Sequence, residues 1–209
     1  MIRFWHAFMK LTGWPAQFIC FRTKITCVNS AVQGRRIKGP AMIVSNHTSV
    51  FDYAVMLFVF PWRVLRYQMA EVLYEKKMLG RLLRHLGGIY VDRNSHNLGF
   101  MRESADILAK GGVVGVFPEG RLPKEGETPP LEFLPGAAYL ALSTGVKVIP
   151  VYTNGSYFNL KKRARVVIGE PIDPAAFNDP AAGEKENIRA LTEAMRSTVI
   201  ALGKTLDAR

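Results

Sequence analysis

Cysteine is scarce in this 209-residue chain, which carries Cys20 and Cys27 and no others. They stand seven apart with no CxxC pair and no clustered histidine, so neither a disulfide framework nor a zinc site is indicated. A reducing, cytosol-facing compartment is the default for such a chain. Long apolar runs are missing as well. No stretch of about 20 residues is apolar enough for a transmembrane helix. Repeats, low-complexity tracts and long Gly/Ser/Pro linkers are absent, which points to one domain behind an N-terminal arm. At 23.3 kDa the chain buries a core without staples. Its 48% hydrophobic content excludes a disordered or collagen-like protein.

Acidic side chains are also few, 17 against 28 basic ones, for a net charge of +11. The imbalance is concentrated. Residues 1–104 carry 15 basic and 5 acidic side chains, whereas residues 105–209 carry 13 and 12. A basic half joined to a near-neutral half fits a polyanionic partner: nucleic acid, anionic lipid headgroups or a phosphorylated substrate. The alternative is a merely soluble basic protein.

The first 21 residues lack the pattern of a cleaved signal peptide, because His6, Lys10, Gln17 and Trp14-Pro15 interrupt the apolar stretch and no small-residue cleavage site follows. On a helix, Arg3, His6, Lys10, Gly13 and Gln17 form a narrow polar stripe. Phe4, Trp5, Phe8, Leu11, Trp14, Phe18 and Ile19 cover the rest. Pro15 is expected to end one helix and open another. A wide aromatic face beside a basic stripe suits a helix lying in a membrane interface, with Arg and Lys reaching anionic lipid. The same residues would also suit a helix packed on the core.

Downstream, β-rich apolar runs at 41–45, 64–69, 88–91, 113–117, 146–152 and 164–169 alternate with helical patterns at 51–60, 71–86, 98–110, 136–143 and 184–206. This alternation predicts an α/β fold with a largely parallel central sheet covered by helices on both faces. Ligand sites in such sheets lie beyond the carboxyl ends of the strands.

Three strand ends carry candidate chemistry. The first reads Ser45-Asn46-His47-Thr48-Ser49-Val50-Phe51-Asp52. Thr48 and Ser49 are good helix caps, which places His47 in the strand–helix loop and Asp52 in the first helical turn. There the carboxylate can turn back to the imidazole and make a general base. A capping Asp beside an unrelated surface His is the competing reading. At the second, Phe117-Pro118-Glu119-Gly120-Arg121, Gly120 lets backbone approach a ligand and Arg121 offers a planar fork suited to phosphate. Glu119 can orient that fork or a substrate hydroxyl; a tight turn with a surface ion pair is the alternative. The third, Gly88-Ile89-Tyr90-Val91-Asp92-Arg93, adds Arg93 as a possible phosphate ligand, or as a partner of Asp92 or Glu119. The run Val148-Ile149-Pro150-Val151 is a buried strand whose proline calls for an edge or a bulge.

These four segments, in this order and spacing, resemble the four motif blocks of the glycerolipid acyltransferase family, and most closely its lysophosphatidate acyltransferases. The likeness runs from about residue 4 to 171. It implies His47 as general base, Asp52 as its orienting partner, and Arg93, Glu119, Gly120 and Arg121 as binders of the glycerol phosphate. The block at Ile149-Pro150-Val151 would border the acyl-chain groove. The implied substrates are a lysophospholipid and an acyl thioester, acyl-CoA or acyl-carrier protein, with no metal or prosthetic group and no nucleic acid. The implied product is phosphatidate, and the implied location is the cytoplasmic face of the cell membrane, on an anionic surface. Residues 1–30 would be the membrane-associating arm and residues 31–209 the acyltransferase domain.

Three positions depart from the family pattern. Arg121 comes one residue early, Leu134 stands where a Lys is frequent, and Glu71 stands where many members carry a Lys. Lys76, Lys77, Arg81 and Arg84 either replace the missing cations or form a solvated basic face. Glycerol-3-phosphate or another lysolipid as acceptor, and a non-catalytic membrane-surface protein, are the alternatives to lysophosphatidate acylation.

Overall fold

The computed structural model describes residues 1–92, 98–159 and 161–207. Seven strands form one sheet: β1 (Lys24–Cys27), β2 (Ala41–Ser45), β3 (Leu65–Ala70), β4 (Ile89–Val91), β5 (Val113–Val116), β6 (Val148–Thr153) and β7 (Arg165–Ile168), in the spatial order β1-β7-β6-β2-β5-β3-β4. Strands β2 to β6 run parallel, as the alternation of strands and helices requires. β7 is antiparallel to β6, and β1 runs parallel to β7. Thus residues 24–27, assigned to the arm on sequence grounds, form an edge strand of the sheet. Four residues that begin with Lys24 and include Thr26 carry too short an apolar run to stand out.

Helices α2 (Asp52–Val59), α3 (Val72–Glu75), α4 (Lys77–His85), α5 (Gly99–Ala109), α6 (Gly136–Thr144) and α7 (Glu184–Asp207) cover the sheet. The helix expected over 71–86 is divided at Lys76, whose extended backbone separates α3 from α4. Successive residues of the central strands feed opposite cores. Ile43, Val113, Ile149 and Val151 meet Val55 and Met56 of α2, and Phe60 just after it, on one face. Met42, Val44, Val114, Val116 and Val148 meet Leu140, Leu191, Met195 and Val199 of α6 and α7 on the other. At Gly115 the ring of Tyr67 lies where a Cβ would stand, 2.1 Å from Cζ, so any side chain there would displace Tyr67.

Pro150 sits on an interior strand, so its bulge reading holds and its edge reading does not. The register sum changes by one between Val151↔Ile168 and Val148↔Ile172. This is the signature of one extra residue on the partner side. Gly169 donates its N–H to the Pro150 carbonyl at 2.9 Å, and the missing proline N–H faces the end of β7.

The N-terminal arm is α1 (Ile2–Ala16), which continues through Pro15 and passes into a π-type turn at Gln17–Phe21. Pro15 therefore does not divide the arm into two α-helices. His6, Lys10 and Gln17 of the polar stripe face inward, which corrects the expectation that Lys10 reaches lipid, whereas Arg3 is exposed. His6 Nε2 bonds the Leu86 carbonyl at 2.9 Å, and Lys10 Nζ donates to the Pro61 and Arg63 carbonyls, both at 2.8 Å. Arg35 donates to the Phe58 and Val59 carbonyls. Together Arg35 and Lys10 satisfy carbonyls at and just beyond the end of α2, where cations are favoured. The apolar side of the arm is left exposed, with Leu11 78%, Phe4 66% and Phe18 63% accessible.

Burial pushes the His6 imidazole below its ordinary value of 6.5; the Leu86 carbonyl opposes this shift, and nearby Lys10 and Arg66 add to it. At that site the folded chain binds protons less readily than the unfolded chain. Its contribution to stability is therefore complete above the ordinary value and lost as pH falls through the lowered one. Lowering the pH from about 7.5 to about 5.5 should lower the Tm of the wild type more than that of His6→Gln, which keeps a donor for Leu86 without a titrating ring. Equal shifts in thermal melts would remove His6 from the pH response.

Candidate active site

The carboxyl ends of β2, β5 and β6 lie side by side, and each delivers one part of a polar cluster. β2 ends at Ser45, and Asn46 closes the gap to β6. Its Nδ2 donates to the Thr153 carbonyl and its Oδ1 accepts the Thr153 N–H, both at 2.8 Å. The next residue, His47, is thereby held at the sheet's upper edge. Its Nδ1 meets Asp52 Oδ2 at 2.8 Å. An ionised carboxylate only accepts, so Nδ1 carries the proton and the Nε2 lone pair is open. The His47 side chain keeps 20% of its surface accessible, while Asp52 is fully buried. His47 stacks on Phe117 with ring centroids 4.2 Å apart, and Phe117 in turn packs on Tyr67 at 5.0 Å.

Asp52 is the most heavily bonded carboxylate of the cluster. Oδ2 accepts the backbone N–H groups of Thr48 (2.7 Å) and Ser49 (2.9 Å) as well as His47. Oδ1 accepts the Thr48 hydroxyl (3.0 Å) and the Tyr157 hydroxyl (2.7 Å). The expectation that Thr48 or Ser49 caps the helix by its side chain is corrected here. The first residue of the helix, Asp52, reaches back over the loop and gathers their N–H groups, where the helix N-terminus favours a negative charge.

Glu119 follows β5 and is 5% exposed. Its Oε1 accepts the His47 backbone N–H at 2.9 Å, which fixes the loop that carries the imidazole. Burial raises its carboxyl above the ordinary range, against the opposing bonds from the His47 and Leu131 backbones. Oε2 is buried with no hydrogen-bond partner among the described residues. Gly120 adopts φ +68°, and a Cβ there would lie 2.7 Å from Leu134 Cδ1. The positive φ is what favours glycine here, since the Leu134 methyl ends an exposed, flexible side chain that can move aside. Leu134, the position where a cation was missed, borders this turn and is exposed.

Arg121 is not gathered into the cluster. Its guanidinium forks onto Glu127 at 2.6 and 2.8 Å, and this pairing pulls the Glu127 carboxyl down to about 2. The ion-pair alternative raised for this turn is thus what the structure contains, with Glu127 rather than Glu119 as partner. Arg93 lies outside the described residues. Lys76, Lys77, Arg81 and Arg84 are exposed, with Arg84 resting over the Tyr74 ring at 5.5 Å. Among the described residues no group of three or more His, Cys, Asp or Glu is placed to hold a metal ion.

Sequence reasoning missed Asn46, Phe117, Thr153 and Tyr157. Asn46 and Phe117 adjoin the motif residues and were within reach of a search outward from His47 and Glu119. Tyr157 carries no local signal, being 105 residues from the carboxylate it bonds.

A mostly parallel α/β sheet with an imidazole–carboxylate pair at its carboxyl edge defines a scaffold for general-base chemistry on a bound hydroxyl. The sequence model of the Acyltransferase family matches residues 24–154, and the chain belongs to that family. It is 29% identical over 180 residues to human 1-acyl-sn-glycerol-3-phosphate acyltransferase beta, covering 79% of this chain and 62% of that protein. It is 25% identical over 171 residues to the 1-acyl-sn-glycerol-3-phosphate acyltransferase of Bacillus subtilis (strain 168), covering 79% and 82%. The chain thus spans about three fifths of the human relative. In fold it is similar to the crystal structure of the 1-acyl-sn-glycerophosphate (LPA) acyltransferase PlsC from Thermotoga maritima, with a TM-score of 0.66, 23% identity, and coverage of 100% of this chain and 80% of that one.

Proposed function

We propose that this protein transfers an acyl group from a thioester to the free hydroxyl of lysophosphatidate, forming phosphatidate. The observation that carries the reading is the open Nε2 of His47, whose Nδ1 proton is committed to a buried, five-fold bonded Asp52. Family membership supports the chemistry, and the relatives named 1-acyl-sn-glycerol-3-phosphate acyltransferases support the choice of acceptor.

In this reading Nε2 takes the proton of the acceptor hydroxyl as its oxygen forms a bond to the thioester carbonyl. The C–S bond then breaks, and the imidazolium returns the proton to the departing thiolate. Asp52 keeps the tautomer and stabilises the transient imidazolium. Holding hydroxyl and thioester together supplies much of the acceleration through positioning. Glu119, which fixes the His47 loop through its backbone N–H, and Gly120 are the turn residues assigned to the acceptor. Arg93 and Arg121, the latter on leaving Glu127, are the cations assigned to its phosphate.

The enzyme works at a lipid surface, with the exposed aromatic side of α1 in the headgroup boundary and the thioester, acyl-CoA or acyl-carrier protein, arriving from the cytoplasm. Among the described residues no helix is long and apolar enough to cross a membrane. Residues 1–30 serve as the membrane-associating arm and 31–209 as the acyltransferase domain, with β1 tying the two together. The test is acyl transfer from labelled acyl-CoA or acyl-carrier protein to lysophosphatidate in vesicles, run beside glycerol-3-phosphate. Phosphatidate is the expected product. Label only in acylated glycerol-3-phosphate would change the acceptor, and no product from either would overturn the reading.

A further inference from the structure

Tyr157 lies three residues beyond the family match and is bound to the carboxylate that the dyad depends on. Its hydroxyl sits 2.7 Å from Asp52 Oδ1 and 2.8 Å from Thr153 Oγ1. A phenol has one proton, and the carboxylate can only accept, so that proton goes to Asp52. Thr153 must then donate to the Tyr157 oxygen. Thr153 Oγ1 accepts in its turn from the Gly155 N–H at 3.3 Å, so every donor finds an acceptor. The proton order is therefore set along one line, from Gly155 N–H through Thr153 and Tyr157 to Asp52, where His47 donates from the other side. Donors arranged in series polarise one another, and a buried chain of this kind holds its members in one geometry.

The ring of Tyr157 is held from a different direction. Phe21, the last residue of the π-type turn, meets it edge-on with centroids 5.5 Å apart and planes at 89°. The following residue, Phe158, donates its N–H to the Cys20 carbonyl at 2.9 Å. The end of the N-terminal arm is thus fastened to the segment that bonds Asp52. Burial and the neighbouring Asp52 charge push the Tyr157 phenol far above its ordinary value, so it remains a donor at any working pH.

We infer that Tyr157 is a positioning residue of the acyl-transfer site: its hydroxyl fixes Asp52 against His47, and its ring, clamped by Phe21, ties that geometry to the N-terminal arm. The inference rests on the acyl-transfer reading for its kinetic consequence but not for its structural one. Tyr157 acts through Asp52, which acts through His47, so its removal is felt in turnover rather than in acceptor binding.

Tyr157→Phe keeps the ring and deletes the donor. In the lysophosphatidate assay kcat should fall about 5- to 20-fold, with the acceptor KM within about twofold of wild type. A substrate-free readout accompanies it: the downfield Nδ1–H proton resonance of His47, recognised by its loss in His47→Ala, should shift in Tyr157→Phe. Thr153→Val, which removes only the upstream donor, should move both quantities in the same direction by less, and it serves if Tyr157→Phe does not fold. An unchanged kcat with an unmoved resonance overturns the assignment. A raised KM at unchanged kcat also overturns it, because the hydroxyl would then touch the acceptor. If the wild type makes no phosphatidate, the acyl-transfer reading fails by itself, and the resonance alone still decides the role of Tyr157.

Discussion

His47→Ala should abolish most acyl transfer, lowering turnover by about 10²- to 10⁴-fold, the range that a positioned general base supplies. The size follows from how completely the structure commits this imidazole. Its Nδ1 proton is held by Asp52, leaving Nε2 as the basic atom of a partly accessible ring. Neither neighbouring carboxylate replaces it, since Asp52 is buried and keeps four other hydrogen bonds and Glu119 is buried and bonded to the His47 backbone. The substitution costs little stability, because the ring is partly exposed and rests on one face of Phe117. A fall in kcat with the acceptor KM and the Tm close to wild type is the expected pattern, measured by initial rates and thermal melts. Activity within about tenfold of wild type would assign the base elsewhere.

The second large effect concerns the lipid surface. Phe4, Leu11 and Phe18 are each more than three-fifths exposed on the outer side of the arm and contribute almost nothing to the core. Fully burying an apolar side chain of this size is worth about 1.5–3 kcal/mol, and an interfacial position realises roughly half of that. Replacing all three with serine should therefore weaken binding to anionic vesicles by about 10²- to 10³-fold while leaving the Tm almost unchanged, read by vesicle co-sedimentation and thermal melts. Binding that persists unchanged would move the lipid contact to another surface. Deleting the arm is a poorer experiment. His6, Gln17 and Phe21 are buried and Lys10 is bonded to the loop after α2, so truncation would open the core.

The arm also shows where sequence reasoning stops. Its two faces are legible in a 3.6-residue period, but the period does not say which face turns inward. A polar stripe usually meets water, and here His6 and Lys10 meet the protein instead, bonding the Leu86, Pro61 and Arg63 carbonyls. Arg121 shows the same limit on a smaller scale. Its turn and the need for Gly120 could be read locally, whereas its pairing with Glu127 depends on how the loop between them closes. The strand Lys24–Cys27 was invisible for a further reason: its stability comes from pairing with Arg165–Ile168, far along the chain.

By itself the sequence determined the alternation of strands and helices, the parallel sheet that this alternation imposes, and the His47–Asp52 spacing that sets an imidazole and a carboxylate across one strand–helix junction. Those are consequences of short-range periodicity and of a loop a few residues long. Only the tertiary structure decided what surrounds the pair: Glu119 on the His47 backbone, Phe117 beneath its ring, and Tyr157 with Thr153 completing the coordination of Asp52. These groups come from the ends of β5 and β6, and the sheet order brings them within hydrogen-bond reach of β2. Contacts between residues about a hundred positions apart carry no periodic trace, because they are selected by packing of the whole sheet rather than by the local preferences of either segment.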